Sequence, residues 1–294
     1  MKILILFLGV FLNSPLSFSL VGGQAVDKAA VQRAFHFNFF ETQSSYFPEI
    51  PVGPRVSVTC GHCAPATRIR PGANGGLFPK VIFPNGLKEG ARSTNNLYEG
   101  LAAGSYGLPF FKVASYPFDL ALIIRSSDEA DEGPFISVSK TKIKLHEQLL
   151  MLGVNMKNQN VKSTCHDYES PGGYSSGVFQ VLDFYSQNVG FIVTGQTPGL
   201  NADRVITCPG DSGGHFFRVL PDRSIELVGV NSWGHEDGDS EVHGDAVVVF
   251  QDYLTGVGDL TSDGVRQWLS ETAKKEDVGI CGINLECPSV QSPF

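Results

Sequence analysis

The segment Cys208-Pro209-Gly210-Asp211-Ser212-Gly213-Gly214 decides how this chain is read. A serine flanked by glycines can sit on a tight turn with its hydroxyl exposed, because glycine adopts backbone conformations closed to other residues. Backbone N–H groups in such a turn can converge on one point with no side chain in the way. Hydrolysis of a peptide bond needs both features, a nucleophile and paired donors for the oxyanion. By itself the segment is equally a plain turn.

Two further segments supply what a serine nucleophile lacks. Val56-Ser57-Val58-Thr59-Cys60-Gly61-His62-Cys63 is a β-rich run that delivers a histidine at its end. Phe118-Asp119-Leu120-Ala121-Leu122-Ile123 leads an aspartate into a strongly apolar strand. A buried carboxylate needs a strong hydrogen-bond partner, and a histidine N–H serves. Singly, the histidine reads as structural and the aspartate as a turn residue.

Together, in the order His62, Asp119, Ser212, these segments resemble the chymotrypsin-like (trypsin-type) serine peptidases. That family's triad runs along the chain in this order, unlike those of subtilisins and α/β-hydrolases. The gaps here are 57 and 93 residues. Leu20-Val21-Gly22-Gly23 looks like the family's mature N-terminus, and Val230-Asn231-Ser232-Trp233-Gly234 like its substrate-binding strand. The resemblance spans about residues 20–275. It implies an all-β fold of two antiparallel β-barrels of the chymotrypsin/trypsin type with a C-terminal α-helix. The barrels would cover about 20–135 and 136–255, with a seam near 130–147 and the triad between them. The helix would cover 262–275, leaving 276–294 as a C-terminal tail.

The resemblance also assigns roles. Ser212 is the nucleophile, His62 the general base and acid, and Asp119 the group that holds the imidazole tautomer. The N–H groups of Gly210 and Ser212 form the oxyanion hole. Ser232 stands beside the triad aspartate, and Trp233 and Gly234 lie along the substrate. Asp211 accepts an ion pair from the α-amino group of Leu20. Ile206 lies six residues before Ser212, where trypsin-like members carry the acid that binds Arg or Lys. Isoleucine cannot pair a cation, so Ile206, Thr207, Gly234 and Gly244 are expected to form a neutral slot that accepts uncharged, chiefly apolar, side chains.

Some positions depart from the family. His215 replaces the proline that usually follows the glycines, with a local effect expected. Cys60 stands where a small residue is usual, and no upstream partner for Cys63 is evident. The six cysteines allow 15 pairings. The pairing expected is Cys60–Cys63, Cys165–Cys208 and Cys281–Cys287. Residues 64–88 contain no Asp or Glu, so no calcium loop is expected there, and no metal or cofactor elsewhere. The acidic stretch Glu236-Asp237-Gly238-Asp239-Ser240-Glu241 reads as a solvated loop.

Composition narrows the remaining classes. The chain has 294 residues, 42% hydrophobic and 18% charged, which argues against wholesale disorder. Net charge is −8 with no run of Lys or Arg, so nucleic acid is not an expected partner. The 33 glycines and 17 prolines separate short apolar runs, as in all-β chains. These runs are Val56–Thr59, Asp119–Ile124, Gln148–Leu152, Val178–Tyr185, Phe191–Thr194, Ile225–Trp233 and Ala246–Phe250. A helix is expected after Ser262, with Val265, Trp268, Leu269 and Thr272 on one face.

Residues 1–19 read as a secretory signal peptide, with Lys2 before an apolar run from Ile3 to Leu12 and small Ser17 and Ser19 at the cleavage positions. No later segment suggests a membrane anchor. An extracellular or periplasmic protein is therefore expected, and disulfides with it. No Lys or Arg lies between Ile3 and Ser19, so one cut after Ser19 would both release the protein and free the Leu20 amine. The partners expected are a protein or peptide substrate and, as a second class, a protein inhibitor, for a monomeric enzyme. Two other classes compete. One is a protease-fold protein that only binds. The other is a thiol–disulfide oxidoreductase, because Cys60-Gly61-His62-Cys63 is also a dithiol motif. That site needs a helix starting at its first cysteine, and Ala64-Pro65-Ala66-Thr67 favours a loop.

Overall fold

Runs of β-branched and aliphatic residues dominate the structure, a computed structural model. It describes residues 23–35, 38–41, 46–61, 80–82, 84, 119–126, 132–156, 171–184, 190–195, 205–207, 211–235, 240–243, 246–249 and 254–293. The first elements are β1 (Gln24–Val26) and α1 (Lys28–Phe35). There follow β2 (Asn38–Glu41), β3 (Tyr46–Gly53), β4 (Val56–Cys60), β5 (Lys80–Ile82) and β6 (Leu120–Ile124). Strands β2 to β6 form an antiparallel sheet in the order β2-β3-β4-β6-β5. Its central strands are buried on both faces. Val56, Val58, Cys60, Leu120, Leu122 and Ile124 point one way into a large apolar core. Ser57, Thr59, Ala121 and Ile123, at alternate positions, are buried on the other face. There Arg125 pairs with the buried Glu49 and donates to Ser57 Oγ at 3.0 Å.

The second half closes on itself. Its strands are β7 (Gln148–Met156), β8 (Pro171–Phe184), β9 (Gly190–Thr194), β10 (His215–Val219), β11 (Ser224–His235) and, beyond a hairpin of β12 (Ser240–His243) and β13 (Ala246–Val249), β14 (Leu254–Asp259). Their pairing order is β8-β7-β10-β11-β14-β9, and β9 pairs back to β8. The result is a closed six-stranded antiparallel barrel. Closure removes every open sheet edge from the ring. Inside lie Leu149, Met151, Phe179, Val181, Phe191, Val193, Phe216, Val228 and Val257. Phe216 meets Phe179 and Phe191 edge-on at 5.4 and 6.4 Å between ring centres. Strand β1 joins the barrel rather than the first sheet, pairing Gln24–Val26 with Ser176–Tyr174 of β8.

The core between sheet and barrel is where the two halves meet. Val58 and Leu122 of the sheet, Val230 and Leu227 of the barrel, and Ile136 and Val138 of the connection belong to one apolar cluster. Helix α2 (Asp263–Glu276) adds Val265, Leu269 and Ala273 to it. Ser262 caps this helix, as expected, by accepting from Val265 N–H at 3.4 Å, and Lys274 and Lys275 occupy its last turn, where positive charge is favoured. All seven predicted runs overlap strands.

The segment after the helix, read from sequence as a tail, is docked. Ile280 and Cys281 are fully buried, and Cys281 bonds Cys287. Cys281 N–H donates to Val52 O of the sheet at 2.7 Å, while its carbonyl accepts from Val138 N–H at 2.9 Å. A final strand, β15 (Val290–Gln291), pairs with Ile225 and Ser224 of β11. The approach is close enough that a Cβ on Gly53 would lie 1.9 Å from Gly279 O. Lys80 Nζ reaches both carboxylate oxygens of Glu276 at 2.7 Å, a further tie from sheet to helix.

Candidate functional site

The serine turn is built by glycine and clipped to β11. Gly213 has φ of +81°, a left-handed conformation that favours glycine. Gly214 N–H donates to Asp211 O at 2.8 Å and closes the turn. A Cβ on Gly214 would come within 2.6 Å of Met151 Cε and 2.9 Å of Asp211 O, so the turn seats directly on the barrel wall. Gly213 N–H donates to Asn231 O at 2.9 Å, and Asn231 N–H to Gly214 O at 2.7 Å. The Asn231 side chain adds a bond from Nδ2 to Asp211 O at 2.9 Å. The N–H groups of Gly213 and Gly214 are thus both engaged in holding the turn. Ser212 is half-buried at its tip, and Asp211 is buried to 1% exposure.

One residue further along β11, the chain reaches the aspartate. The β11–β14 register slips between Asn231 and Trp233, so Ser232 has no partner on β14. Such a bulge re-aims a side chain out of the regular alternation. The Ser232 hydroxyl donates to Asp119 Oδ2. Asp119 itself has φ of +34°, which aspartate tolerates better than most residues. Its carbonyl accepts from Gly61 N–H at 2.9 Å, and its Oδ1 would stand 3.0 Å from a Cβ on Gly61. The glycine therefore allows the aspartate to lie against the backbone one residue before His62. Cross-strand pairing of Cys60 with Leu120 fixes this register.

His62 itself lies outside the described residues, as do Gly210, Gly244, Leu20, Cys63, Cys165 and Cys208. The predicted signal peptide and residues 236–239 of the acidic stretch also lie outside them. Cys60 carries a disulfide whose partner falls in that set, and Cys281–Cys287 forms as predicted.

Two of the expected slot residues, Thr207 and Gly234, meet β14 at Thr255. Ile206 and Thr207 are buried, and Thr207 Oγ1 lies 2.7 Å from Thr255 Oγ1. Thr255 is the cross-strand partner of Gly234, next to the Trp233–Gly256 pair. Thr255, a neutral residue, thus lies between Thr207 and Gly234.

Asn231, Thr255 and His215 carry this arrangement without having been singled out as site residues from sequence. For Asn231 the signal was a polar residue embedded in an apolar strand. His215 does more than the local effect expected of it: fully buried, it approaches Val58 O of β4 with Nε2 at 3.4 Å. Burial pushes its pKa down to about 3, against which the carbonyl contact works weakly. Elsewhere, burial raises the Asp259 carboxyl, and hydrogen bonds from Ser224 lower that of the exposed Asp222.

Neither any family model nor any curated protein matches the chain.

Proposed function

We propose that this protein is a secreted serine endopeptidase of the chymotrypsin type. One observation carries the reading: two successive residues of β11, Asn231 and Ser232, clip the serine turn and hold Asp119. Strand β4 ends beside that aspartate at Cys60, and His62 is two residues further along the chain. In this reading Ser212 Oγ attacks the scissile carbonyl as His62 takes its proton, and the oxyanion is held by the Gly210 and Ser212 N–H groups. The protonated His62, steadied by Asp119, gives its proton to the leaving amine. Water then repeats the sequence to release the acyl group from Ser212.

The five-stranded sheet, with both faces of its central strands buried, is read as the described part of an N-terminal barrel facing the closed one. Asp211, buried beside the turn, is the proposed partner of the Leu20 amine. Cys60 speaks against a reactive dithiol, since it is fully buried at the end of a strand and a reactive thiol must be accessible. A protein that only binds is separated from an enzyme by a serine-directed fluorophosphonate. The expected result is stoichiometric labelling that maps to Ser212; native secreted protein that does not label would defeat the peptidase reading.

The neutral character of Ile206, Thr207 and Thr255 sets the specificity proposed. No carboxylate occurs at these positions to pair an Arg or Lys, and burying an unpaired cation is costly. Profiling on a peptide library should show cleavage after uncharged, mainly apolar, residues. A profile dominated by Arg and Lys would refute the neutral slot.

A further inference from the structure

We propose that His215 is a positioning residue that references the serine turn to the strand delivering His62. The inference rests on the peptidase reading and adds a residue to it. His215 follows Gly214 directly and opens β10, where it sits between Leu152 of β7 and Val230 of β11. It is fully buried, and its Nε2 faces Val58 O across the sheet–barrel interface at 3.4 Å. A carbonyl only accepts, so Nε2 carries the hydrogen and the ring is the neutral Nε2–H tautomer. Val58 lies four residues before His62 on a strand paired on both sides, to Ile50 of β3 and Leu122 of β6. Its carbonyl is therefore a fixed reference point.

The ties of the turn to Asn231 stay within the barrel. They fix Ser212 relative to β11 but not relative to β4. Among the described residues, Ser232 and His215 cross from the barrel strands around the turn to the first sheet, Ser232 to Asp119 and His215 to Val58. One sets the aspartate and the other the strand that precedes the histidine in the chain. A proline in place of His215 would have no side-chain donor for that contact.

The proposed substrate strand at Trp233–Gly234 belongs to the barrel, so loss of the His215 tie should misalign the proton transfer and leave substrate binding alone. The experiment compares wild type, His215→Phe and His215→Gln. Phenylalanine fills a similar volume without a donor; glutamine keeps an N–H donor. In the phenylalanine variant kcat should fall ~10–100-fold, as sub-ångström misplacement of catalytic groups does, with KM within about threefold. Fluorophosphonate labelling should slow in parallel, and glutamine should regain most of the loss. Wild-type kcat in His215→Phe, a change confined to KM, or no recovery with glutamine would overturn the proposal. Nitrogen NMR of the wild-type imidazole tests it without any variant: an Nε2–H tautomer is expected, and Nδ1–H would overturn it. Failure of the wild type itself to label removes the peptidase reading and this inference together. A labelling wild type with an unaffected phenylalanine variant removes the inference alone.

Discussion

Replacing Ser212 with alanine is expected to lower peptide turnover by ~10⁴–10⁶-fold while leaving the thermal midpoint within a few degrees of wild type. The turn that carries Ser212 is closed by backbone bonds of Asp211, Gly213, Gly214 and Asn231, and none of these uses the serine side chain. The half-buried hydroxyl can therefore be removed without disturbing the barrel. His62→Ala should cost a comparable factor, because nucleophile and base act as one unit and their losses do not add. The Ser212→Ala, His62→Ala double variant should accordingly be little worse than either alone. Kinetics on the best library peptide, run beside thermal melts, would measure this. Turnover at the wild-type level in purified Ser212→Ala would sink the mechanism.

How much of this was legible in the sequence follows from what each signal depends on. Barrel strands β7, β8, β9 and β11 were readable because each has a short apolar run bounded by turn residues. Helix α2 was readable because Ser262, the buried face at Val265 and Leu269, and the terminal lysines all agree. Strand β10 was not singled out: His215-Phe216-Phe217-Arg218-Val219 begins directly after the glycine turn, with no boundary between motif and strand. Strand β14, Leu254–Asp259, was lost because two glycines dilute its pattern, yet they let it lie close to its neighbours in the barrel. The docked terminal segment escaped for another reason. Its hold comes from Val52, Val138 and Ile225, residues distant in sequence that no local pattern connects to Cys281 or Val290. The same holds for the site. Order along the chain suggested the triad, but Asn231 as the clip and His215 as a cross-interface contact depend on which strands become neighbours. Only the assembled sheet and barrel fix that.

Acid is expected to destabilise the fold through His215, beginning below pH ~6.5. The imidazole has a pKa near 6.5 when solvated, and burial in the native state lowers it to about 3. Between these values the unfolded chain binds a proton that the native chain refuses, so stability falls as pH drops. The contribution is fully present above pH 6.5, and the loss continues until the native ring also protonates near pH 3. The slope approaches ~1.4 kcal/mol per pH unit, so roughly 2 kcal/mol should be lost between pH 6.5 and 5. Over the whole window the loss is on the order of 4–5 kcal/mol, a large fraction of the ~5–15 kcal/mol that stabilises an ordinary domain. Asp259 works the other way. Burial raises its pKa, so the native state gains its proton before the unfolded chain does and recovers part of the loss at lower pH. The remaining six histidines are common to wild type and a His215→Gln variant, so the difference between the two isolates this residue. Denaturant unfolding of both proteins across pH 7.5 to 4.5 gives the measurement. The wild-type stability curve should bend downward below pH 6.5 and the variant's should be flatter by about one proton. Equal slopes would mean that the native imidazole titrates normally and is not held neutral between barrel and sheet.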